Sequence, residues 1–317
     1  MFGLRPDAVL AVPEKYYTLS DYEGNIPRWC PGCGDHSVLT AAQKVCRENQ
    51  LAPEKTVFVS GIGCSSRFPH YMKTYGFHGL HGRAFPVACG IKFRRPDLHV
   101  FVATGDGDCC SIGTGHWIHA IRYNMDMTVM LLDNEIYGLT KDQTSPTSRK
   151  GTTSNTHPTG SVLPPINPII TTLGVANVSF VAQTVDWNPA HLYATLMAAY
   201  QHPGFSFVRI LQRCPHFSAE VYADAVTDAN QTLLLNHENG IELPKGVERM
   251  FKNTEEHDPA DINKAREFAG IQDMIPIGLF YQKKDNERYD EYGRHNLGFS
   301  IEAKEAALMN EFEKYAV

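Results

Sequence analysis

The sequence of 317 residues lacks several features that would place it in a specialised class of protein. It has no block of basic residues and a formal net charge of −6, which argues against nucleic acid as the main partner. No apolar run approaches the roughly 20 residues that a membrane-spanning helix needs. The N-terminal segment MFGLRPDAVLAVPEKYY carries prolines and charges where a signal peptide would have an apolar core. We therefore expect a cytoplasmic protein that needs neither a membrane nor nucleic acid as a partner.

Short apolar runs alternate with helical patterns along most of the chain. KTVFVSG (55–61) and MTVMLLDNE (127–135) are apolar runs that end in glycine or charge, as buried strands of parallel sheets do. DHSVLTAAQKVCREN (35–49) has apolar residues at helical spacing and begins with Asp35, for which we predict an N-cap role. The alternation predicts an α/β fold with a doubly wound parallel sheet.

The composition changes in the last third of the chain, which becomes polar and charged. We expect a lead-in at residues 1–27, a main domain at 28–215 and an irregular C-terminal extension at 216–317. Only IPIGLFY (275–281) is strand-like in the extension, which would wrap its own domain or a partner instead of forming a second core. Within the main domain, the segment 140–170 is rich in Thr, Ser, Pro and Gly and predicts a functional loop.

Two polar motifs follow neighbouring predicted strands. TGDGDCC ends one strand and LLDNEIYGLT ends the next, so a right-handed connection brings Asp106 and Asn134 to the same edge of the sheet. Their carboxylate and amide oxygens, with a backbone carbonyl and diphosphate oxygens, suit the octahedral coordination of Mg²⁺. Gly105 and Gly107 would let the backbone approach the phosphates. Because GDG alone is also typical of a tight turn, the prediction depends on the spacing of both motifs.

The order strand, GDGD, helix, strand, DN resembles the binding motif of thiamine-diphosphate enzymes. The resemblance implies a thiamine-diphosphate-binding fold of the PP type. It also implies that Mg²⁺ is held by the side chains of Asp106 and Asn134 and by the backbone carbonyl of Ile136.

Four of the eight cysteines are predicted at the same sheet edge. Cys30 and Cys33 precede the first helix, whereas Cys64 and Cys214 follow strands. In a reducing compartment such thiols are metal ligands more often than disulfides, and four thiolates suit a [4Fe–4S] cluster and a structural zinc ion equally well. A neighbouring thiamine cofactor favours the cluster, because an electron acceptor has a use there. A redox dithiol of Cys30 and Cys33 would leave the other two without a role. The remaining cysteines, predicted to be core residues, are Cys46, Cys89, Cys109 and Cys110.

Longer motifs resemble one family. WCPGCGDHSVL, SGIGCSS, YGFHGLHGRAFPVACGIK, GDGD and DNEIYGLTKDQTSPTS are similar to the β subunit of 2-oxoacid:ferredoxin oxidoreductases, over roughly residues 27–215 and more weakly beyond. The subtype with YGLTK and SPT is most similar to 2-oxoglutarate enzymes. The resemblance implies oxidative decarboxylation of a 2-oxoacid to acyl-CoA and CO₂, or the reverse, with electrons passing through a [4Fe–4S] cluster to ferredoxin. It also implies an obligate α subunit, which supplies the glutamate that activates thiamine.

The resemblance also implies further site residues. Arg67 and Lys141 are the cations best placed for substrate carboxylates, and we predict a catalytic role for them, although a solvated surface cation is an equally good interpretation of each. Asp142 stands where the family resemblance predicts glycine. The cofactor contacts implied beyond the metal ligands are Ser65, His81, Gly82, Arg83, Gly105, Gly107, Asp108, Gly138, Leu139 and Thr140.

Other functions are compatible with parts of the pattern. Pyruvate or a broad range of 2-oxoacids could replace 2-oxoglutarate, because these substrates differ by one distal carboxylate. A non-redox thiamine-dependent decarboxylase or carboligase with structural zinc would normally carry a second, pyrimidine-binding domain, for which 317 residues are few. A scaffold without a thiamine site is disfavoured by the intact pair of Asp106 and Asn134.

Overall fold

Apolar runs of the sequence fold into buried strands, as predicted. All seven residues of the strand MTVMLLD are buried, which is typical of a parallel strand that is covered on both faces. The computed structural model describes residues 16–238, 240–292 and 300–314. Its strands are β1 (Thr56–Ser60), β2 (Tyr75–His78), β3 (His99–Gly105), β4 (Met127–Asp133), β5 (Ile136–Tyr137), β6 (Gln143–Thr144), β7 (Phe180–Val185), β8 (Phe205–Leu211), β9 (Thr232–Asn236), β10 (Asn253–Glu256) and β11 (Ile275–Gln282). Its helices are α1 (Asp35–Glu48), α2 (Phe68–Tyr71), α3 (Ala84–Arg94), α4 (Thr114–Tyr123), α5 (Pro168–Leu173), α6 (Pro189–Gln201), α7 (Ala223–Thr227), α8 (Ile262–Ala269) and α9 (Ile301–Glu313).

Nine strands form one sheet in the order β10-β9-β11-β7-β8-β4-β3-β1-β2. Neighbouring strands run parallel, except that β11 is antiparallel to β7. Strands β5 and β6 form a separate antiparallel pair. Because β1, β3, β4 and β8 are parallel neighbours, their carboxyl ends lie at one edge of the sheet, where the predicted site residues follow them.

Helices cover both faces of the sheet, which confirms the doubly wound fold. One apolar core contains residues of α3, α4, α5 and α8, and the other contains residues of α1, α2 and α6. Successive residues of a strand alternate between them: Val57 and Val59 belong to the first core and Phe58 to the second. The core prediction is confirmed for the buried Cys46, Cys109 and Cys110, whereas Cys89 is half-buried and packs against the first core.

Helix α1 has the predicted extent, but its first turn differs from the prediction. The helix begins at Asp35 itself, Gly34 is the N-cap, and no side chain caps the helix. Asp35 is buried beside Cys33, and burial raises the pKa of its carboxyl to about 7. The predicted N-cap role of Asp35 is therefore wrong, because its side chain is enclosed near the cysteine and makes no capping bond to the backbone.

The C-terminal part of the chain is more regular than the sequence suggested. The predicted strand at 275–281 is present as β11, and β9 and β10, which we did not predict, extend the sheet beyond it. Because β11 pairs with β7, the C-terminal part continues the sheet of the main domain, and the division at residues 215 and 216 stays a prediction. Residues 1–15 of the predicted lead-in at 1–27 lie outside the described residues. In the described part of the chain, none of the helices has the length and apolar character to cross a membrane.

Candidate functional site

The predicted diphosphate and metal residues meet at the carboxyl ends of β3 and β4. The two strands pair in register, with Gly105 opposite Leu132, so Asp106 and Asn134 follow them at the same edge. Both residues line a cavity of about 370 Å³. The predicted site residues that line this cavity are Cys64, Ser65, His81, Gly105, Asp106, Gly107, Asp108, Asn134, Ile136, Gly138, Leu139 and Thr140. Lining residues that the sequence did not point to are Ile62, Gly63, Leu132, Tyr137, Gln143 and Gln212.

Gly107 forms a tight part of the cavity wall. A Cβ atom at this position would lie 2.1 Å from a ring carbon of Tyr137. The Tyr137 hydroxyl also donates a hydrogen bond to the Gly107 carbonyl oxygen, at 3.0 Å. Glycine is therefore required here by the close approach of an aromatic ring, in addition to the approach of a phosphate that the motif implies.

Asp108 joins three segments around the cavity. Its Oδ1 accepts hydrogen bonds from the backbone N–H of Ile62 at 3.0 Å and of Gly82 at 2.7 Å. The same oxygen lies 2.8 Å from His81 Nδ1, and Oδ2 accepts a bond from Thr104 Oγ1 at 2.8 Å. Because the carboxylate is an acceptor, His81 carries a hydrogen on Nδ1 and donates it to Asp108. Asp108 thus fixes the loops that surround the cavity.

Gly82 and Arg83 do not line the cavity. Gly82 has a φ of +69°, and a Cβ atom there would lie 2.6 Å from the backbone nitrogen of Gly113. The guanidinium group of Arg83 faces the backbone carbonyls of His81 and Gly82, at 3.4 and 3.3 Å. The cofactor contacts that the resemblance implies for Gly82 and Arg83 stay predictions.

Asp106 has the environment of a cation ligand. Its side chain is buried, and burial together with the neighbouring carboxylate of Asp133 raises its pKa to about 8, although Ser145, Thr147 and the Gly107 N–H stabilise the ionised form. A bound divalent cation would reverse this shift, because it favours the ionised carboxylate. With the amide oxygen of Asn134 close by, the donor set consists of hard oxygen atoms and fits Mg²⁺.

Two of the four predicted ligand cysteines, Cys64 and Cys214, lie close to Gly138. A Cβ atom on Gly138 would lie 3.8 Å from Cys214 Sγ and 3.9 Å from Cys64 Sγ. Gln212 Nε2 lies 3.3 Å from Cys33 Sγ, and the indole of Trp29 donates to the Cys64 carbonyl at 2.7 Å.

Two of these thiols, those of Cys33 and Cys64, lie in an environment that raises their pKa. Burial, followed by the carboxylate of Asp35, raises the pKa of Cys33, with further contributions from Cys64 and Cys214. The same two leading causes raise the pKa of Cys64 to about 12, with additions from Cys214 and Cys30. A cationic metal centre would stabilise thiolates at such a place. Among the described residues, however, no three His, Cys, Asp or Glu side chains form a recognisable single-ion site.

The two predicted substrate cations lie outside the cavity lining. Arg67 borders a neighbouring depression of about 800 Å³, which shares Leu139 with the first cavity, and its guanidinium carbon is 5.6 Å from the centre of the Tyr71 ring. Lys141 and Asp142 have φ values of +70° and +62° in the loop between β5 and β6. Left-handed backbone at 142 explains why glycine suits this position, and aspartate tolerates it better than most residues.

One buried residue at this edge was missed by the sequence analysis. Thr147 Oγ1 lies 2.8 Å from Asp106 Oδ2 and 2.8 Å from Asp133 Oδ1. The available signal was the unusually long polar stretch at 140–170, which predicts a functional loop but points to no site residue beyond Thr140, Lys141 and Asp142.

Two protein-family descriptions match parts of this chain. Residues 61–210 match the thiamine pyrophosphate enzyme C-terminal TPP-binding domain, and residues 247–295 match the C-terminal part of the pyruvate ferredoxin oxidoreductase β subunit. The 2-oxoacid:ferredoxin oxidoreductase 1 β subunit of Aeropyrum pernix is 37% identical over 279 residues, which cover 86% of this chain and 84% of that protein. This chain belongs to the β subunits of the 2-oxoacid:ferredoxin oxidoreductases.

Two further relatives of this β-subunit family have 2-oxoglutarate in their names. The 2-oxoglutarate oxidoreductase subunit KorB of Mycobacterium tuberculosis is 50% identical over 191 residues, which cover 60% of this chain and 51% of that protein, about half its length. The 2-oxoglutarate:ferredoxin oxidoreductase from Magnetococcus marinus, solved with 2-oxoglutarate, coenzyme A and succinyl-CoA bound, has a TM-score of 0.76 and 35% identity. That alignment covers 93% of this chain and 96% of the solved chain. The family and the fold that the sequence motifs predict are confirmed.

Proposed function

We propose that this chain is the β subunit of a 2-oxoglutarate:ferredoxin oxidoreductase. The reaction converts a 2-oxoacid and coenzyme A to acyl-CoA and CO₂ and releases two electrons and a proton, or runs in reverse as a reductive carboxylation. The observation that carries the proposal is the position of Gly138, which lines the cavity and lies close to the sulfurs of Cys64 and Cys214. Electrons leaving a substrate in the cavity would therefore have a short route to a cluster held by these thiols.

The cavity would hold thiamine diphosphate, with its diphosphate and Mg²⁺ at the carboxyl ends of β3 and β4. Asp106, Asn134 and the carbonyl of Ile136 would be the metal ligands, and the backbone at Gly105 and Gly107 would approach the phosphates. When bound, thiamine diphosphate supplies an electron sink for the carbanion that the loss of CO₂ leaves. The match of residues 61–210 to a TPP-binding domain supports this assignment.

The wall residues would position the reacting groups. His81 is held through Nδ1 by Asp108 and lines the cavity. Ser65 is buried and lines the same cavity, as do Leu139 and Thr140 on the opposite loop. The proposal gives these residues cofactor or substrate contacts, and gives Asp108 the role of holding the loops.

For the four cysteines we propose a [4Fe–4S] cluster bound by Cys30, Cys33, Cys64 and Cys214. Structural zinc is the alternative, because four thiolates suit both metals. The position of Cys64 in the wall of the cavity favours the cluster, because a redox centre there can accept electrons from the substrate, whereas zinc cannot.

The substrate proposal is supported by the names of the relatives, two of which refer to 2-oxoglutarate. Arg67 and Lys141 are proposed to bind substrate carboxylates, and Arg67 borders the depression that adjoins the cavity at Leu139. Pyruvate or a broader range of 2-oxoacids is the alternative, which the specificity of the purified enzyme would decide.

We further propose that the enzyme works in the cytoplasm, with an α subunit as its obligate partner and with ferredoxin as its electron acceptor. The α subunit would complete the thiamine site, and coenzyme A would take the acyl group. Strongly reducing conditions in the cytoplasm suit four free thiols that act as metal ligands.

The test is a pair of variants in the complex co-expressed with its α subunit and purified without oxygen. Asp106→Ala should lose thiamine diphosphate and keep iron and its visible colour, whereas Cys64→Ser should lose colour and keep thiamine diphosphate. The unaltered complex should bleach on addition of 2-oxoglutarate and coenzyme A, and less with pyruvate. A colourless complex with stoichiometric zinc would refute the redox function, and loss of iron in Asp106→Ala would refute the site assignment.

A further inference from the structure

A buried polar loop stands next to the predicted metal site. Ser145, Thr147 and Ser148 are buried, although Arg149 and Lys150, which follow them, are exposed. Buried hydroxyl groups need hydrogen-bond partners, because an unpaired polar group is costly in the protein interior. The partners of these hydroxyls therefore identify what the loop holds in place.

The hydroxyl of Thr147 bridges two carboxyl groups. It contacts one oxygen each of Asp106 and Asp133, both at 2.8 Å. Asp133 is itself fixed, because Arg209 Nε donates to its Oδ2 at 2.7 Å and Arg209 Nη1 donates to Gln183 Oε1 at 3.1 Å. Asp106 is thus tied through a single hydroxyl to a buried ion pair within the sheet.

The same loop holds the turn that carries the other predicted metal ligands. Glu135 lies between Asn134 and Ile136 and has a φ of +58°, a left-handed conformation that is uncommon for residues other than glycine. Its carbonyl oxygen accepts a hydrogen bond from Ser148 Oγ. Its carboxylate accepts a bond from Arg149 Nε at 3.1 Å. The turn is therefore anchored to the loop at both its backbone and its side chain.

We propose that residues 145–149 are the positioning element of the magnesium site and that the Thr147 hydroxyl is its central group. Thr147 orients the carboxylate of Asp106, and the next two residues keep the metal-ligand turn in shape. None of these three residues lines the cavity, so their effect on the metal is indirect. The inference rests on the proposed binding of Mg²⁺ and thiamine diphosphate at this edge.

The test compares Thr147→Val, which removes the hydroxyl at nearly constant volume, with Thr147→Ser, which keeps it. Both are made in the complex with the α subunit, stripped of metal and cofactor, and Mg²⁺ is titrated calorimetrically at saturating thiamine diphosphate. Thr147→Val should weaken Mg²⁺ binding about tenfold to hundredfold, because a hydrogen bond to a charged group is lost. Thr147→Ser should restore most of the affinity.

A valine variant with unchanged Mg²⁺ affinity would overturn the inference. So would a serine variant as weak as valine, because the hydroxyl would then not be the group that matters. If the valine variant fails to assemble, Arg149→Met and its exposed neighbour Lys150→Met form a second matched pair. Only Arg149→Met should weaken Mg²⁺ binding, and equal behaviour of the two would overturn the inference. Failure of the unaltered complex to bind thiamine diphosphate would refute the proposed function instead.

Discussion

Replacing Asp108 with alanine should remove hydrogen bonds from several segments around the cavity together and so lower the stability of the protein. The carboxylate accepts hydrogen bonds from two backbone N–H groups, those of Ile62 and Gly82, and also contacts His81 and Thr104. Asp108 is 2% exposed, so solvent replaces these bonds poorly. Each buried N–H group left without an acceptor costs roughly 1–3 kcal/mol.

Two such groups correspond to about 2–6 kcal/mol, and water entering from the cavity would relieve part of the loss. We expect a decrease of about 3 kcal/mol in the free energy of unfolding, which for a chain of this size lowers the melting temperature by roughly 4–5 °C. Asp108→Asn is the matched variant. Its amide oxygen can keep the two backbone bonds while its NH₂ group donates to Thr104 Oγ1, so less than half of the loss is expected.

Thermal unfolding followed by circular dichroism, on the cofactor-free complex, measures both variants. If Asp108→Ala melted within about 1 °C of the unaltered protein, these bonds would not hold the loops. If asparagine were as harmful as alanine, the loss of acceptors for the backbone N–H groups would not be the cause.

Three further predictions concern the cavity wall, the cysteines and a buried histidine. Gly107→Ala should abolish thiamine-diphosphate binding in calorimetry, because its Cβ would collide with the Tyr137 ring at 2.1 Å; wild-type affinity would contradict this. Cys64→Ser should lose iron in metal analysis, whereas the half-buried Cys89→Ser should retain it. Burial lowers the pKa of His191 from 6.5 to about 3, so the unfolded chain binds a proton between these values and the folded chain does not. Stability therefore falls as the pH drops below 6.5. His191→Gln should show a smaller decrease in the urea midpoint of unfolding between neutral and mildly acidic pH. If the decrease were the same as in the unaltered protein, His191 would not be the cause of the pH dependence.

The edge of the sheet at which Asp106 and Asn134 meet could be predicted from two local sequence signals and one rule of sheet topology. Apolar runs identified β3 and β4, the glycine and asparagine motifs marked where they end, and parallel order brought Asp106 and Asn134 together. Thr147 could not be found in this way. It is 41 residues from Asp106, and a hydroxyl in a polar loop has no periodicity that reveals its partner.

The missed strands have a similar explanation. Strand β10 (NTEE) lies at the sheet edge and is largely exposed, so it has no apolar alternation, and β9 offers only three consecutive leucines. At Asp35 the local rule failed for another reason. An acidic residue before a helical pattern usually caps it, but here the carboxyl is enclosed beside Cys33. Long-range packing overrode the local preference.

The place of β11 in the sheet constrains how the protein can be made. All of the predicted ligand cysteines have been synthesised once the chain reaches Cys214, yet β7 still lacks the neighbour that β11 provides. Until residues 275–282 emerge, β7 exposes unpaired backbone groups, which is the kind of edge at which nascent chains associate wrongly. A fragment that stops after the cofactor-binding region would keep this open edge permanently. We therefore expect the proposed metals and cofactor to be bound after the chain is complete, and expression of shortened versions should yield aggregated protein.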